Sequence, residues 1–321
     1  MSEAFIYPEN QEAAHLTRSD RNLRWWTPVA MVGISLISFI FMSGVMAVAA
    51  VWVVKGSLSV EMLSDPSTMT EVSGSRLGLF LVVVPPQIAL VLPSLIAAVL
   101  SPVPFRERLG LVRGNWPLWS WLGIAAATPL IGFLSGLGVG LFLEESETLK
   151  EMSNLFRAHG KSGFFIPLAL MIGATPAFCE ELLFRGYIQQ RLTRSFRPMR
   201  GILIASTLFA AFHIDFVHVV AVFPLGVFLG WVTWRTGSIV PAMLGHFVNN
   251  FISVIGIVVS PEENTDTLGA PGLSLSLTVI AFGFVGIALI MVAASQDRLR
   301  SSDIDPQEQG FTETSPSDDA S

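Results

Sequence analysis

The residues best suited to chemistry lie in segment 179–186, CEELLFRG in one-letter code. This segment places two adjacent carboxylates, Glu180 and Glu181, and Arg185 at the end of an apolar stretch. Two histidines, His213 and His246, lie well inside other apolar stretches. Ionisable groups in such stretches are costly to bury and usually functional. These side chains are therefore the first candidates for a buried site.

Helical spacing predicts partners for several of these residues. Glu181 and Arg185 are four residues apart with the acid on the N-terminal side, which favours an intrahelical ion pair. Phe209 and His213 have the same spacing, so the phenyl ring can pack along the imidazole. We expect the ion pair to keep the site in shape.

Asparagines accompany the last of these histidines. His246 and Asn250 are four residues apart, which points both side chains into the same space, and Asn249 is three residues from His246. Counting from the nearest flanking arginines at 1.5 Å per residue places three side chains about 16 to 20 Å below one membrane face: those of Glu180, His213 and His246. Three helices therefore bring polar groups to a common level.

A carboxylate and an imidazole in a low-dielectric cavity can hold one water and remove its proton. A second histidine and an asparagine can donate hydrogen bonds to an oxyanion as it forms. The set is suited to hydrolysis of a peptide or ester. Two alternatives remain open at this point: a proton-coupled transporter gathers the same residue types at mid-membrane, and the polar contacts can be purely structural.

The composition indicates the environment in which these residues work. Of the 321 residues, 51% are hydrophobic and only 14% are charged, which is too few for the surface of a soluble protein of this size. The net charge of −6 gives no indication of a nucleic-acid partner. A single cysteine, Cys179, excludes an internal disulfide and a cysteine-rich metal site. The protein is predicted to be an integral membrane protein.

The fold is predicted to be all-α, a polytopic bundle of about eight transmembrane helices. The predicted spans are 27–54, 77–100, 117–142, 163–192, 201–220, 221–234, 238–259 and 273–295. Spans four, five and seven carry the candidate residues and form the predicted core at 163–259.

The distribution of arginines predicts an orientation and a division into regions. Arginines cluster in alternate loops and precede the first span, so an even number of spans with both termini cytoplasmic fits the positive-inside rule. We divide the chain into a polar cytoplasmic leader at 1–24, a transmembrane domain at 25–295 and an acidic, disordered tail at 296–321. The expected location is the plasma membrane of a prokaryote.

The candidate residues resemble the motifs of the CAAX protease and bacteriocin-processing family, the intramembrane proteases that include the type II CAAX prenyl endopeptidases. That family is marked by E-E-x-x-x-R, F-x-x-x-H and H-x-x-x-N or D on successive membrane helices. The matching residues here are Glu180, Glu181 and Arg185, then Phe209 and His213, then His246 and Asn250. Each motif alone is weak, but all three occur in order, and the resemblance covers about residues 163–259.

The resemblance implies a membrane-embedded endopeptidase and a role for each residue. Glu180 and His213 activate the attacking water, while His246 and Asn250 line the oxyanion hole. Glu181, Arg185 and Phe209 are expected to support them. The implied substrate is a peptide or a lipidated protein, with a prenylated CAAX protein as the eukaryotic example.

The cofactor and the biological role leave alternatives. No cofactor is expected, and zinc is the less favoured alternative, for which the ligands would be Glu180, His213 and His246. The chain contains no His-Glu-x-x-His, and Arg185 nearby disfavours a cation. The alternative to a protease is a non-catalytic bacteriocin-immunity or scaffold protein, with a proton-coupled transporter less favoured.

Overall fold

The computed structural model describes residues 26–260 and 270–304. Within those ranges all regular structure is helical, so the prediction of an all-α polytopic membrane protein is confirmed. The helices are α1 (Thr27–Lys55), α2 (Val60–Ser64), α3 (Pro66–Gly74), α4 (Arg76–Val99), α5 (Phe105–Arg108), α6 (Leu118–Gly140), α7 (Glu147–His159), α8 (Phe165–Glu180), α9 (Gln190–Ser195), α10 (Pro198–Ala211), α11 (Phe216–Thr236), α12 (Val240–Val259) and α13 (Ala270–Ile304). A π-helical segment, Glu181–Gln189, follows α8, and the chain kinks before α8 at Gly163, which has a φ of 79°.

Seven described segments are long and apolar enough to cross a membrane, and one shorter apolar helix, α10, accompanies them. The predicted fifth and sixth spans differ most from the structure, because the chain turns at 212–215 instead of at 220–221. Ile214 has a φ of 63° in this turn. Asp215 then caps α11 by accepting a hydrogen bond from the backbone N–H of His218 at 2.9 Å. The sequence around the turn is mostly apolar, with His213 and Asp215 as its polar residues.

The predicted motif-bearing core lies at the centre of the helix packing. α8 packs against α4 on one side and α12 on the other, α6 packs against α12, α11 and α13, and α10 packs against α11. Close approach of α8 and α12 depends on Gly173, where a Cβ would lie 3.3 Å from the ring of Phe247. Segment 181–189, which continues α8, also contacts α4 and α10. The candidate residues therefore face several helices at once.

The structure describes only part of the two predicted terminal regions. The leader at 1–24 lies outside the described residues. α13 continues to Ile304, so residues 296–304 of the predicted tail are helical, and the rest of the tail lies outside the described residues. The helix runs on because neither proline nor glycine occurs between Gly286 and Ile304 to end it.

Candidate active site

The two adjacent carboxylates lie where the helix changes its hydrogen-bonding pattern. Glu180 is the last residue of α8 and Glu181 the first of the π-helical segment Glu181–Gln189. Glu180 is 8% exposed and Glu181 is fully buried. π-Helical turns are rare and frequently occur at functional sites. Adjacent positions on one helix point in different directions, so the two acids have different neighbours.

Glu181 is the centre of a buried ion-pair network. Its Oε1 accepts hydrogen bonds from Nη1 of Arg185 at 2.8 Å and from Nδ1 of His246 at 2.9 Å. Arg185 also donates from Nη2 to the carbonyl of Gly226 at 3.1 Å, and its guanidinium lies 4.3 Å from the ring centroid of Phe209. The network therefore connects the π-helical segment Glu181–Gln189 with α10, α11 and α12. The ion pair expected from the four-residue spacing is present, and it extends to His246.

Glu180 faces α4. Gln87 of α4 donates from Nε2 to Oε1 of Glu180 at 3.3 Å. Oε2 of Glu180 is buried, and no side chain or backbone group in the described ranges donates to it. Oε1 of Gln87 is a second buried acceptor of the same kind. Two acceptor oxygens beside each other in a buried site suit a donor such as a water molecule.

Gln87 is a site residue that the sequence reasoning missed. It is a lone amide in the apolar sequence of α4 and follows Pro85 and Pro86. A polar side chain in such a place was the available signal. Its relation to Glu180 depends on the packing of α4 against α8, which no local pattern encodes.

His213 lies in the turn after α10 and is half-buried. Its Nδ1 is 3.1 Å from the carbonyl oxygen of Phe209, which can only accept, so Nδ1 carries the proton. In the neutral ring, Nε2 then bears the lone pair. The rings of Phe209 and His213 meet edge to face at 5.2 Å, as their spacing predicts.

His218 is a second imidazole beside the first. Its ring centroid is 4.6 Å from that of His213, and the two rings meet edge to face. His218 also interacts electrostatically with Glu180 and Asp215. His218 was not among the predicted site residues, because the turn at 212–215 that brings the two histidines together was not predicted.

His246 is buried, at 3% exposed, and its orientation is fixed by Glu181. A carboxylate only accepts, so Nδ1 of His246 donates to it and Nε2 points elsewhere. Nε2 can donate to a ligand only when the ring carries both protons, and the charge of Glu181 compensates the resulting imidazolium. The ring also packs edge to face on Phe209 at 5.9 Å.

The two asparagines of α12 are hydrogen-bonded to each other. Asn249 donates from Nδ2 to Oδ1 of Asn250 at 3.1 Å. Asn250 is half-buried and donates from Nδ2 to the carbonyl of Ile172 in α8 at 3.4 Å. One N–H of Asn250 remains for another acceptor.

The residue count that gave the depth of His246 does not hold in the structure. The count treated the eleven residues from Arg235 to His246 as one helix, but α11 ends at Thr236 and Gly237 has a φ of 66°. α12 begins only at Val240, so His246 lies about 9 Å along its helix. His246 nevertheless reaches Glu181, because helix packing sets the contact.

The zinc alternative was tested on the arrangement of donors. In the described part of the chain, no three side chains of His, Cys, Asp or Glu come together as a metal site. The set Glu180, His213 and His246 is thus not assembled as ligands, and Glu181 binds His246 through Nδ1.

Comparison with known families gives one match. Residues 162–252 match the family described as "Rce1-like: Type II CAAX prenyl endopeptidase Rce1-like". The matched segment runs from just before α8 into α12 and contains all seven residues of the three motifs, so the resemblance seen in the sequence is confirmed over that range. Comparison with curated proteins and with solved structures gave no match.

Proposed function

Residues 162–252 of this integral membrane protein are similar to type II CAAX prenyl endopeptidases, and on that premise we propose that the protein is an intramembrane endopeptidase. The observation that carries the proposal is Oε2 of Glu180: a buried acceptor without a donor in the described structure, beside Glu181, which is hydrogen-bonded to His246. A carboxylate in that situation is suited to bind and deprotonate a water.

The proposed reaction begins with a water bound to Oε2 of Glu180. Glu180, with Nε2 of His213 as the second acceptor, takes a proton from the water as its oxygen attacks the peptide carbonyl carbon. The C–O bond forms and the carbonyl becomes an oxyanion. Nε2 of His246 and Nδ2 of Asn250 donate to this oxyanion. The tetrahedral intermediate then collapses, the C–N bond breaks, and the proton passes to the leaving amine.

The remaining residues support this arrangement without touching the reacting atoms. Glu181 fixes the ring of His246 through Nδ1, and Arg185 compensates the charge of Glu181. Phe209 packs against His213, His246 and Arg185 and keeps water from their other faces. Gln87 orients the carboxylate of Glu180.

The proposed substrate is a peptide or a lipidated protein that enters from the bilayer, with a prenylated CAAX terminus as the first chemistry to test. We also propose that both termini are cytoplasmic, because arginines cluster in alternate loops. The plasma membrane of a prokaryote is the proposed location.

The proposal is tested with protein purified in detergent and a quenched fluorescent peptide that ends in a farnesylated CAAX sequence. The wild type and the control Glu151→Gln, which changes an exposed carboxylate on α7, should cleave the peptide at equal rates. Glu180→Gln should lower kcat by about 10²–10⁴-fold, the contribution typical of general acid–base catalysis. The same peptide without the farnesyl group measures the contribution of the lipid.

The outcomes separate the rival functions. A transporter has no gradient to use in detergent, so cleavage there contradicts the transporter alternative. An immunity or scaffold protein acts by binding, so its cellular function would survive Glu180→Gln. Failure of the wild type to cleave either peptide, or full activity of Glu180→Gln, would overturn the proposed function.

A further inference from the structure

Asn249 lies beside the site and belongs to none of the three motifs. Its carboxamide is 9% exposed, and its Nδ2 donates to Oδ1 of Asn250. Asn250 in turn donates to the carbonyl of Ile172. The amide of Asn250 is therefore bound at its oxygen by one neighbour and at its nitrogen by another.

The orientation of this amide matters for the proposed chemistry. An asparagine amide has a donating and an accepting end, and only the NH₂ end can stabilise an oxyanion. If Asn250 turned over, its oxygen would face the negative charge and repel it. By donating to Oδ1, Asn249 selects the orientation in which the remaining N–H of Asn250 is available.

The side chain of Asn249 also packs against α6. A Cβ built at Gly132 would overlap Oδ1 of Asn249 and lie 3.3 Å from its Cγ, so the side chain packs directly on the backbone of α6. One turn earlier on both helices, a Cβ at Gly245 of α12 would overlap Oγ1 of Thr128 on α6. The two helices thus approach closely over successive turns, with a glycine opposite a polar side chain in each.

Gly132 differs in its surroundings from Gly136 and Gly140, which follow it on α6 at four-residue spacing. At Gly136 and Gly140 a Cβ would meet nothing within 4 Å. Of these three glycines, only Gly132 packs against a side chain of α12. Gly136 therefore provides a matched control on the same helix.

We propose that Asn249 is a positioning residue for the reaction: packed on Gly132, it sets which end of the Asn250 amide faces the substrate. This inference rests on the proposed function. The contact between α6 and α12 would then contribute to oxyanion stabilisation as well as to helix packing.

The test compares Asn249→Leu, Asn250→Ala and the double variant by cleavage of the farnesylated peptide. Asn250→Ala should lower kcat by about 10²–10³-fold, as does removal of an oxyanion donor. Asn249→Leu keeps the volume but loses the donor, and should lower kcat about tenfold or more with KM unchanged, since a small misplacement of a catalytic group is costly. In the Asn250→Ala background, Asn249→Leu should have no further effect.

Gly132→Ala provides a second perturbation that leaves both asparagines present. It should lower kcat with the same dependence on Asn250, while Gly136→Ala should match the wild type. Elution of each variant from a sizing column and its unfolding temperature identify those that fail to fold.

The outcomes distinguish the inference from the function on which it rests. Wild-type protein that does not cleave, or Asn250→Ala that cleaves at the wild-type rate, contradicts the proposed function or the role of Asn250, and the inference falls with it. If Asn250→Ala loses activity but Asn249→Leu lowers kcat by the same factor in both backgrounds, the inference alone is overturned. Asn249 would then have only a packing role.

Discussion

Removal of Arg185 should destabilise the protein far more than removal of an arginine from a partly exposed ion pair. Arg185 is 1% exposed, its partner Glu181 is fully buried, and their nearest atoms are 2.8 Å apart. Arg185→Met preserves much of the side-chain volume but leaves the Glu181 carboxylate with His246 as its remaining hydrogen-bond partner among the described residues. Breaking a buried pair in this way costs about 3–5 kcal/mol.

Two other contacts of Arg185 are lost in the same variant. The carbonyl of Gly226 loses its side-chain donor, which costs about 1–3 kcal/mol when the group stays buried. The guanidinium–Phe209 contact at 4.3 Å contributes up to about 2 kcal/mol. These contributions overlap, so we expect a loss of about 4–6 kcal/mol in the free energy of unfolding.

The measurement is unfolding by sodium dodecyl sulfate in mixed micelles, followed by tryptophan fluorescence. Arg235→Met is the matched control, because the Arg235–Asp297 pair has the same geometry at 2.9 Å with side chains that are 25% and 32% exposed. That variant should lose about 1 kcal/mol or less.

A double variant tests the electrostatic reasoning. Glu181→Gln removes the uncompensated charge and leaves an amide oxygen that can accept from His246, so Arg185→Met with Glu181→Gln should be more stable than Arg185→Met alone. The coupling between the two positions should be at least about 2 kcal/mol. Strictly additive losses, or equal losses for Arg185→Met and Arg235→Met, would refute the reasoning.

Three further predictions follow from individual contacts. Gln87→Leu should lower kcat about fivefold with little change in KM, because Glu180 loses a hydrogen bond worth about 1 kcal/mol; an unchanged kcat would remove Gln87 from the site. Gly226→Ala, where a Cβ would lie 3.0 Å from the ring of Phe209, should lower the free energy of unfolding by about 1–3 kcal/mol, whereas Gly138→Ala, with nothing within 4 Å, should not; equal losses would contradict the packing at Gly226. Because the described residues bring no three metal ligands together, cleavage should survive exhaustive chelation, and loss of activity that zinc restores would contradict a metal-free mechanism.

Helical spacing was sufficient to predict several contacts of the site. The pair Glu181–Arg185 and the ring contact Phe209–His213 are local, and four-residue spacing brings such side chains together. The π-helical turns from Glu181 onward did not prevent the pair from forming. The overall class was also predictable, because the apolar lengths of the chain fit the bilayer.

Contacts between helices could not be derived from spacing. Spacing predicted only that Glu181 pairs with Arg185, and the same oxygen also binds His246, 65 residues further along the chain. Gln87 reaches Glu180 only because α4 packs against α8. Asn249 has its position because Gly132 leaves space on α6. Each of these contacts depends on how two helices pack against each other. The periodicity of hydrophobic residues along the sequence does not specify that packing.

Turns within apolar sequence were the other source of error. The chain reverses at 212–215 between α10 and α11, where hydropathy changes little and the capping residue Asp215 is the main local signal. This turn brings His218 against His213. A second unpredicted turn begins at Gly237, which ends α11 with a φ of 66°. Arg235 and His246 therefore lie on different helices.

The central claim is that Glu180 activates water for cleavage of a peptide bond in a natural substrate. The most direct test is mass spectrometry of membrane and secreted peptides from cells that carry the wild type, Glu180→Ala or the control Glu151→Ala at equal abundance. We predict that at least one precursor accumulates uncut with Glu180→Ala alone and that its cleaved product appears with the other two. Identical peptides in all three strains, with the protein present in the membrane of each, would contradict the claim.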